Sequence, residues 1–335
     1  MLPERGELAP LLEQAGVEVV VHPLAVLRRE ALTPRGLLAL RGALRADAEM
    51  LSRLARERQV ALVHSNTSVV LAGSELGRAH LMHVREIYAG AGPAPLWPLW
   101  RRRLLRADAL ACVSAAVARQ FGESPKAFVL HDGLTRVPSR RPRAEARAAL
   151  GLDGESFVVA LLGRVSDWKG QDVLAAALGQ LGDVGAVGLV AGDPWPGQEG
   201  VLHELERSAG ALDGRLRLLG FRDDVDELLG AADAVVVPSK RPDPLPNSAL
   251  EAAAAGLPLV ASSHGGLGEI VRQGETGLLV PPGDASALAE ALRRLAREPK
   301  LGERLGRAAA LDVRERFSRE RMLAELQSAY GRLTR

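Results

Sequence analysis

Apolar residues along this 335-residue chain fall into short unbroken runs, separated by stretches in which they recur every three or four positions. A run of four to eight apolar residues suits a strand buried on both faces of a parallel sheet, and the wider spacing suits the core face of a helix. The first half offers VEVVVHPL from Val17, VALVHSN from Val60, HLMHVRE from His80, ALACVS from Ala109 and AFVLHDG from Ala127. The second half offers FVVALLGR from Phe157, AVGLVAGD from Ala186, LRLLG from Leu216, AVVVPS from Ala234, PLVASS from Pro258 and TGLLVPP from Thr276. Helical spacing lies between them, as over Leu37–Arg58, Asp223–Ala232 and Ala285–Arg297. Strand and helix alternating in this way predict an α/β protein with doubly wound parallel sheets.

The stretch Val137–Ala149 is rich in Arg and Pro, carries no strand signal and precedes a fresh strand. It divides the chain into an N-terminal domain over 1–136, a linker over 137–149, a second domain over 150–313 and C-terminal helices over 314–335. A length of 335 residues favours two domains, and 47% hydrophobic with 25% charged residues gives them a substantial core. The single Cys112 excludes a disulfide framework and sits in an apolar run, as a small buried hydrophobe in a reducing compartment. With no run of about 18 apolar residues and no charged-then-apolar leader, the expected location is cytoplasmic. Charge is unevenly shared. Residues 1–150 hold 22 Lys+Arg against 14 Asp+Glu (+8), and residues 151–335 hold 21 against 27 (−6). A basic first half suits an anionic partner such as a phospholipid surface or a lipid-phosphate acceptor; ordinary variation between neighbouring domains gives the same numbers.

Two segments of the second half carry chemistry. In LLGRVSDWKGQDVL a buried strand ends at Gly163 and a helix begins near Gly170, which puts Arg164 and Lys169 at the C-terminal rim of the sheet beside a helix N-terminus. Two cations there suit a diphosphate, although an exposed loop with charges has the same letters. In VVVPSKRPDPLPNSALEAAAAGLPLVAS a strand ends at Ser239, a Pro-rich loop carries Asp243, and a helix follows that Asn247 or Ser248 would cap. Glu251 then either completes a capping box with Ser248 or, with Asp243, points into the crevice, where acidic groups hold sugar hydroxyls. The amides at Asn247–Ala249 would face a phosphate. The DVD at Asp224–Asp226 has the letters of a metal pair but opens a helix, where acidic residues already complement the dipole, so no metal is expected.

These segments together resemble the donor site of glycosyltransferase family 4: a strand, GR, a short loop, KG, then an acidic residue, seven residues and a Glu heading EAAAAGLPLVAS. GGLGEI from Gly265 and GETGLLVPPGD from Gly274 are similar to the family's later signatures. The resemblance runs from about Leu24 to Phe317 and is densest from Phe157 to Asp284. It implies a GT-B fold, two Rossmann-like domains facing a cleft, and a retaining, metal-independent transfer of a hexosyl unit from a UDP- or GDP-sugar with no cofactor. By position, Gly163, Arg164 and Lys169 would meet the donor diphosphate, Asn247 and Ser248 would lie beside it, Glu251 would bind the ribose and Arg222, in GFRDD, the base. Asp243 stands where the family usually has Glu, shorter by one methylene. His83, in HVREI, matches the segment where the family places a cleft histidine; a polar residue finishing a strand is the plainer account. His64 is a lesser cleft candidate, and His131 with Asp132 would line the interdomain side.

The implied function is transfer to an envelope glycan or lipid-linked acceptor, with no nucleic acid involved. Its rivals are a nucleotide-sugar-binding protein without transferase activity and a GT-B nucleotide-sugar epimerase. Pro95–Leu110, with Trp97 and Trp100 among Arg101, Arg102, Arg103 and Arg106, suits either a peripheral membrane contact on the inner face or a surface helix with its indoles turned inward. Against the family pattern the chain opens near the end of the second strand, so the first domain is expected to be truncated, lacking its N-terminal strand-helix-strand.

Overall fold

The computed structural model describes residues 1–26, 33–70, 72–88, 97–134 and 136–335. They divide into two compact units, one of Met1–Val113, Ala118–Val129 and Leu326–Arg335, the other of Ser114–Val117 and Leu130–Glu325.

The first unit contains helices α1 (Leu8–Gln14), α2 (Pro34–Glu57) and α3 (Trp97–Leu104) and strands β1 (Leu62–Ser65), β2 (Ala79–Val84), β3 (Ala109–Cys112) and β4 (Ala127–Val129); α4 (Ala115–Arg119), between the last two strands in sequence, is divided between the two units after Val117. The strands form a parallel sheet in the order β1-β2-β3-β4. The run at Val17 does not join it. Val21 makes a single parallel bridge to Leu2, and Val17 and Val21 stay 47% and 43% exposed. A run of β-formers becomes a strand only where a ladder partner is available, and one bridge supplies too few hydrogen bonds. The indoles of α3 turn inward: Trp97 stacks on Tyr88 at 5.6 Å and leans on Phe121, and Trp100 meets Tyr88 edge-on. Leu99, 68% exposed, and Arg102 are left on its outer face. Pro95 and Leu96 of that stretch lie outside the described residues.

The second unit alternates α5 (Arg143–Ala149), β5 (Phe157–Leu162), α6 (Gln171–Gly179), β6 (Ala186–Ala191), α7 (Glu199–Gly210), β7 (Leu216–Leu218), α8 (Val225–Ala231), β8 (Ala234–Val237), α9 (Asn247–Ala254), β9 (Leu259–Ser262), α10 (Leu267–Ile270) and β10 (Leu278–Val280). Helices α11 (Ala285–Arg297) and α12 (Pro299–Arg316) follow, and α13 (Arg319–Leu333) passes into the first unit at Leu326. Its sheet is parallel in the order β10-β9-β8-β5-β6-β7. Alternate residues of β5 feed two cores. Val159 and Leu161 pack with Leu174 and Leu178 of α6 and Leu288 and Leu292 of α11, while Val158 packs with Ala146, Val187, Leu189 and Ala231. Burial on both faces is why these strands are unbroken apolar runs in the sequence.

At the N-terminal edge of this sheet the charges are closed by one another. Arg147, 2% exposed, donates to the carbonyls of Ala231 and Gly154 and to Asp233 Oδ2 at 2.6 Å. The same carboxylate accepts the Val158 amide at 2.8 Å and pairs with Arg143 at 2.9 Å. Replacing Arg147 by Ala leaves Asp233 and the carbonyls of Ala231, Asp153 and Gly154 short of a donor. We expect a loss of about 3 kcal/mol, the usual cost of opening a buried pair from one side. Urea unfolding followed by tryptophan fluorescence checks it, since Trp168 and Trp195 lie in this unit; an unchanged midpoint would show that Arg143 alone satisfies Asp233.

Candidate functional site

From β5 the chain winds outward through β6 and β7, then returns to the other flank of β5 to lay down β8, β9 and β10. Beyond the C-terminal ends of β5 and β8 the connecting loops therefore part to opposite sides, the place where an open α/β sheet leaves a crevice. Three loops meet there: 163–170 after β5, 238–246 after β8 and 263–266 after β9. They meet backbone to backbone. Gly170 has φ +82°, and a Cβ on it would lie 2.0 Å from the Pro238 carbonyl. Methyl groups on Gly265 and Gly266 would lie 2.3 Å from the Asp243 carbonyl and 2.0 Å from that of Pro244. The Gly266 amide donates to the Asp243 carbonyl at 2.7 Å, and the Lys240 amide to that of Trp168 at 2.7 Å.

Across this junction Lys169 Nζ lies 2.6 Å from Asp243 Oδ2 and 4.4 Å from the centre of the Trp168 ring. Asp243 is buried, its side chain 7% exposed, so the pair is largely shielded from water. Arg164, just past Gly163, is exposed; its guanidinium lies over Trp195 at 4.8 Å and its carbonyl accepts from Gln171 at 3.0 Å. One predicted cation is thus held by a carboxylate and the other by an indole face.

Asn247 and Ser248 are the first two residues of α9, not its cap. The cap position is Pro246, with no side-chain hydrogen bond, so the capping box predicted as one reading of Glu251 does not form. The Asn247 and Ser248 amides have no acceptor among the described residues, whereas the Ala249 amide bonds the Pro246 carbonyl at 3.1 Å. A proline enters a helix without a donor to lose, which explains the shift of the start by one residue. The carboxylate of Glu251, one turn in and half-buried, has no hydrogen bond among the described residues. Burial pushes its carboxyl above the usual range, against the pull of Arg136 and helped by Asp226. Arg222 is committed to Asp224, Nε to Oδ1 at 2.7 Å, and reaches Glu227 at 3.5 Å; Asp226 pairs with Arg136 at 2.6 Å.

In the first unit His83 is the next-to-last residue of β2, 3% exposed and stacked on His64 at 5.7 Å. Burial, with Arg85 and His64 nearby, pushes its pKa down to about 3, so it is neutral at physiological pH. His64 Nδ1 lies 2.7 Å from the Tyr330 hydroxyl. In the second unit His131 Nε2 is 3.0 Å from Glu269, which also accepts the Ala115 and Ala116 amides.

A further set escaped the sequence reading. Ser166 Oγ, Gln171 Oε1, Ser239 Oγ, Ser262 Oγ and both ring nitrogens of His264 are buried with no hydrogen-bond partner among the described residues. All belong to the three loops or their first flanking residues. Ser239 and Ser262 are fully buried, Gln171 is 1% and Ser166 3% exposed. A buried polar group left unpaired costs about 1–3 kcal/mol, so the fold bears a concentrated cost beneath this junction. Their sequence signal is slight: a serine ending an apolar run is commonplace.

Residues 142–312, just over half the chain, match the family Glycosyl transferases group 1. The chain is 33% identical over 233 residues to a D-inositol 3-phosphate glycosyltransferase of Streptomyces bingchenggensis, covering 65% of this chain and 50% of that protein. It is 39% identical over 206 residues to one of Actinosynnema mirum, covering 56% and 47%. The chain therefore spans about half the length of these relatives. Among solved structures, HepE of Anabaena in complex with UDP and glucose superposes with a TM-score of 0.83 at 24% identity, covering 98% of this chain and 90% of that one. Sucrose-phosphate synthase from Thermosynechococcus elongatus gives 0.74 at 25% identity, covering 87% and 78%. Both units are accordingly Rossmann-like, parallel-sheet domains of the GT-B kind.

The raised pKa of Glu251 sets a pH-dependent expectation. A carboxyl whose folded pKa lies above its unfolded value of 4.5 holds its proton better when folded, so its ionisation costs stability as pH rises through that window. Glu251→Gln should raise the thermal midpoint at pH 7, with the gain vanishing towards pH 4. A midpoint equal to wild type at pH 7 would mean that Glu251 already has a partner in solution.

Proposed function

This chain belongs to the glycosyl transferases group 1 family, and we propose that it is a retaining, metal-independent enzyme that moves a hexosyl unit from a UDP- or GDP-sugar to an envelope glycan or lipid-linked acceptor. The observation that carries this reading is the Lys169–Asp243 pair spanning the switch point of the second sheet, ringed by polar groups that lack partners. Arg164, Lys169 and the open amides of Asn247 and Ser248 offer positive charge and donors to a diphosphate. The charge on that leaving group grows as the glycosidic bond breaks, so the same contacts strengthen in the transition state. A diphosphate that takes over Lys169 releases Asp243, and a freed carboxylate in a buried loop needs donors, which the hydroxyls of the transferred sugar supply. Glu251, whose carboxylate makes no hydrogen bond among the described residues, would hold the ribose. HepE with UDP bound favours uridine as the base.

The acceptor reading rests on charge. Arg35, Arg41, Arg45, Arg53 and Arg56 of α2 are exposed and form no ion pair among the described residues, which suits a phosphate-bearing acceptor or the headgroups around a lipid-linked one. The names of the bacterial relatives, with inositol 3-phosphate in them, fit the same preference. The outer face of α3, with Leu99 and Arg102, is the part of 95–110 left for a peripheral membrane contact.

Lys169→Ala should weaken UDP and UDP-sugar alike, by roughly tenfold to a hundredfold, as for a charged hydrogen bond of about 1.5–3 kcal/mol. Asp243→Asn should abolish most transfer yet keep or improve UDP affinity, because Asp243 competes for Lys169. Titration calorimetry with a transfer assay separates the two; equal loss of UDP binding in Asp243→Asn would put Asp243 on the nucleotide. Transfer should also persist in EDTA, and its abolition with rescue by Mn²⁺ would overturn the metal-independent mechanism. Tight nucleotide-sugar binding with no transfer to any acceptor would instead favour a binding protein, and inversion at a sugar carbon an epimerase.

A further inference from the structure

Arg164 is held without its charge being cancelled. Its guanidinium lies over the ring of Trp195 at 4.8 Å and makes no hydrogen bond or ion pair among the described residues. The backbone brings the two side chains together. Beyond the ends of β5 and β6 the parallel ladder continues: the Gly163 amide donates to the Ala191 carbonyl, the Val165 amide to that of Asp193, and the Trp195 amide back to that of Val165, each at 2.9 Å. Gly192 comes so near that a Cβ on it would lie 2.2 Å from the Gly163 carbonyl. Trp195 then opens a tight turn, closed by the Gln198 amide on its carbonyl at 2.9 Å. Pro196 and Gly197, the latter at φ +81°, fill the central positions in the pattern of a type II turn. The indole stays 53% exposed, so core packing does not account for it. An aromatic face attracts a cation through its quadrupole and takes up none of the guanidinium's five N–H donors. A carboxylate in the same place would neutralise the charge, as Asp243 does for Lys169.

Resting on the donor-site reading above, we propose that Trp195 is a positioning residue that acts through Arg164, holding the guanidinium beyond the end of β5 with its donors free for the donor diphosphate. A long exposed side chain loses rotamer freedom when a ligand immobilises it, and that loss is subtracted from the affinity. The stack on Trp195 takes part of the loss in advance, so the diphosphate meets a cation that is already ordered. Exposure to solvent limits the gain, because a cation–π contact at the surface is the weak kind, and the ordering changes affinity by a few fold.

Calorimetry on the full chain measures affinity for UDP and GDP in wild type, Trp195→Leu, Trp195→Phe, Arg164→Ala, the Trp195→Leu and Arg164→Ala double variant, and Lys169→Ala. Circular dichroism melts establish that each variant is folded. Trp195→Leu should weaken the better-bound nucleotide by about threefold, as for an exposed cation–π contact. Trp195→Phe, which keeps a smaller aromatic face, should lose less. In the Arg164→Ala background Trp195→Leu should cost nothing more, because the residue it acts through is gone. Wild-type affinity in Trp195→Leu, or a Phe variant no better than the Leu variant, overturns the inference. So does an equal loss with and without Arg164, which would put the indole on the nucleotide itself. Lys169→Ala distinguishes the failures: if it weakens the nucleotide while Arg164→Ala changes nothing, only the role of Trp195 falls. If both change nothing, or wild type binds neither nucleotide, the donor-site reading falls and this inference with it.

Discussion

The ion pair between Lys169 and Asp243 is the contact on which the rest of the site depends. It joins residues 74 positions apart, one following β5 and the other following β8, across the gap where the sheet changes winding direction. With Asp243 7% exposed, neither partner can be removed without leaving the other charge poorly solvated. Any ligand entering here must therefore exchange partners with the pair. An anion can replace Asp243 at the ammonium, and a donor can replace Lys169 at the carboxylate. A nucleotide-sugar carries both kinds of group next to each other, whereas free phosphate offers only the first and a free sugar only the second. On the proposed reading this makes the pair a filter for the joined molecule.

Such an exchange needs a rigid frame, and the glycines supply it. Gly170, Gly265 and Gly266 let three loops rest carbonyl against Cα, closer than any side chain would permit. The loops are then located by backbone contacts and by the strands beneath, whose alternate residues are locked into two separate cores. Side chains at the junction are freed from holding the fold together. That is why Ser166, Ser239, Ser262 and His264 can be left without partners at a cost the rest of the unit absorbs.

How much of this was legible in the sequence follows from the same physics. Strands buried on both faces must be apolar without interruption, so β5, β6, β8 and β9 stood out as runs, and the strand-end positions of Arg164, Lys169 and Asp243 followed from where those runs stop. The run at Val17 misled because pairing is a non-local property: its composition fits a strand, yet Leu2 offers one bridge. The start of α9 misled for a local reason. Asn247 and Ser248 are better caps than proline, but Pro246 already has an extended backbone, and the helix begins one residue earlier than the side chains suggested. The pairing of Lys169 with Asp243 was invisible, since two charges assigned separately to phosphate and sugar carry no sign of meeting. The unpartnered serines and His264 were invisible too, because a missing hydrogen bond is a property of the fold and leaves no letter in the sequence.

The two edges of the second sheet complete the argument by contrast. At the N-terminal edge, Arg147, Asp233 and Arg143 satisfy one another and the neighbouring backbone, and the Val158 amide is taken as well. At the C-terminal edge, Glu251 is half-buried with its carboxyl pushed up and no hydrogen bond among the described residues, the Asn247 and Ser248 amides are open, and Arg164 has only an indole beneath it. The same sheet and helices could have closed both edges, since arginine and aspartate were available at each. Helices that connect parallel strands, such as α6 and α9, point their N-termini towards the C-terminal edge, so an anion is favoured there by the backbone itself. Leaving that edge incomplete lowers stability, and it keeps the positive end of α9, whose first turn holds no acidic residue, open to a charge that the chain does not supply.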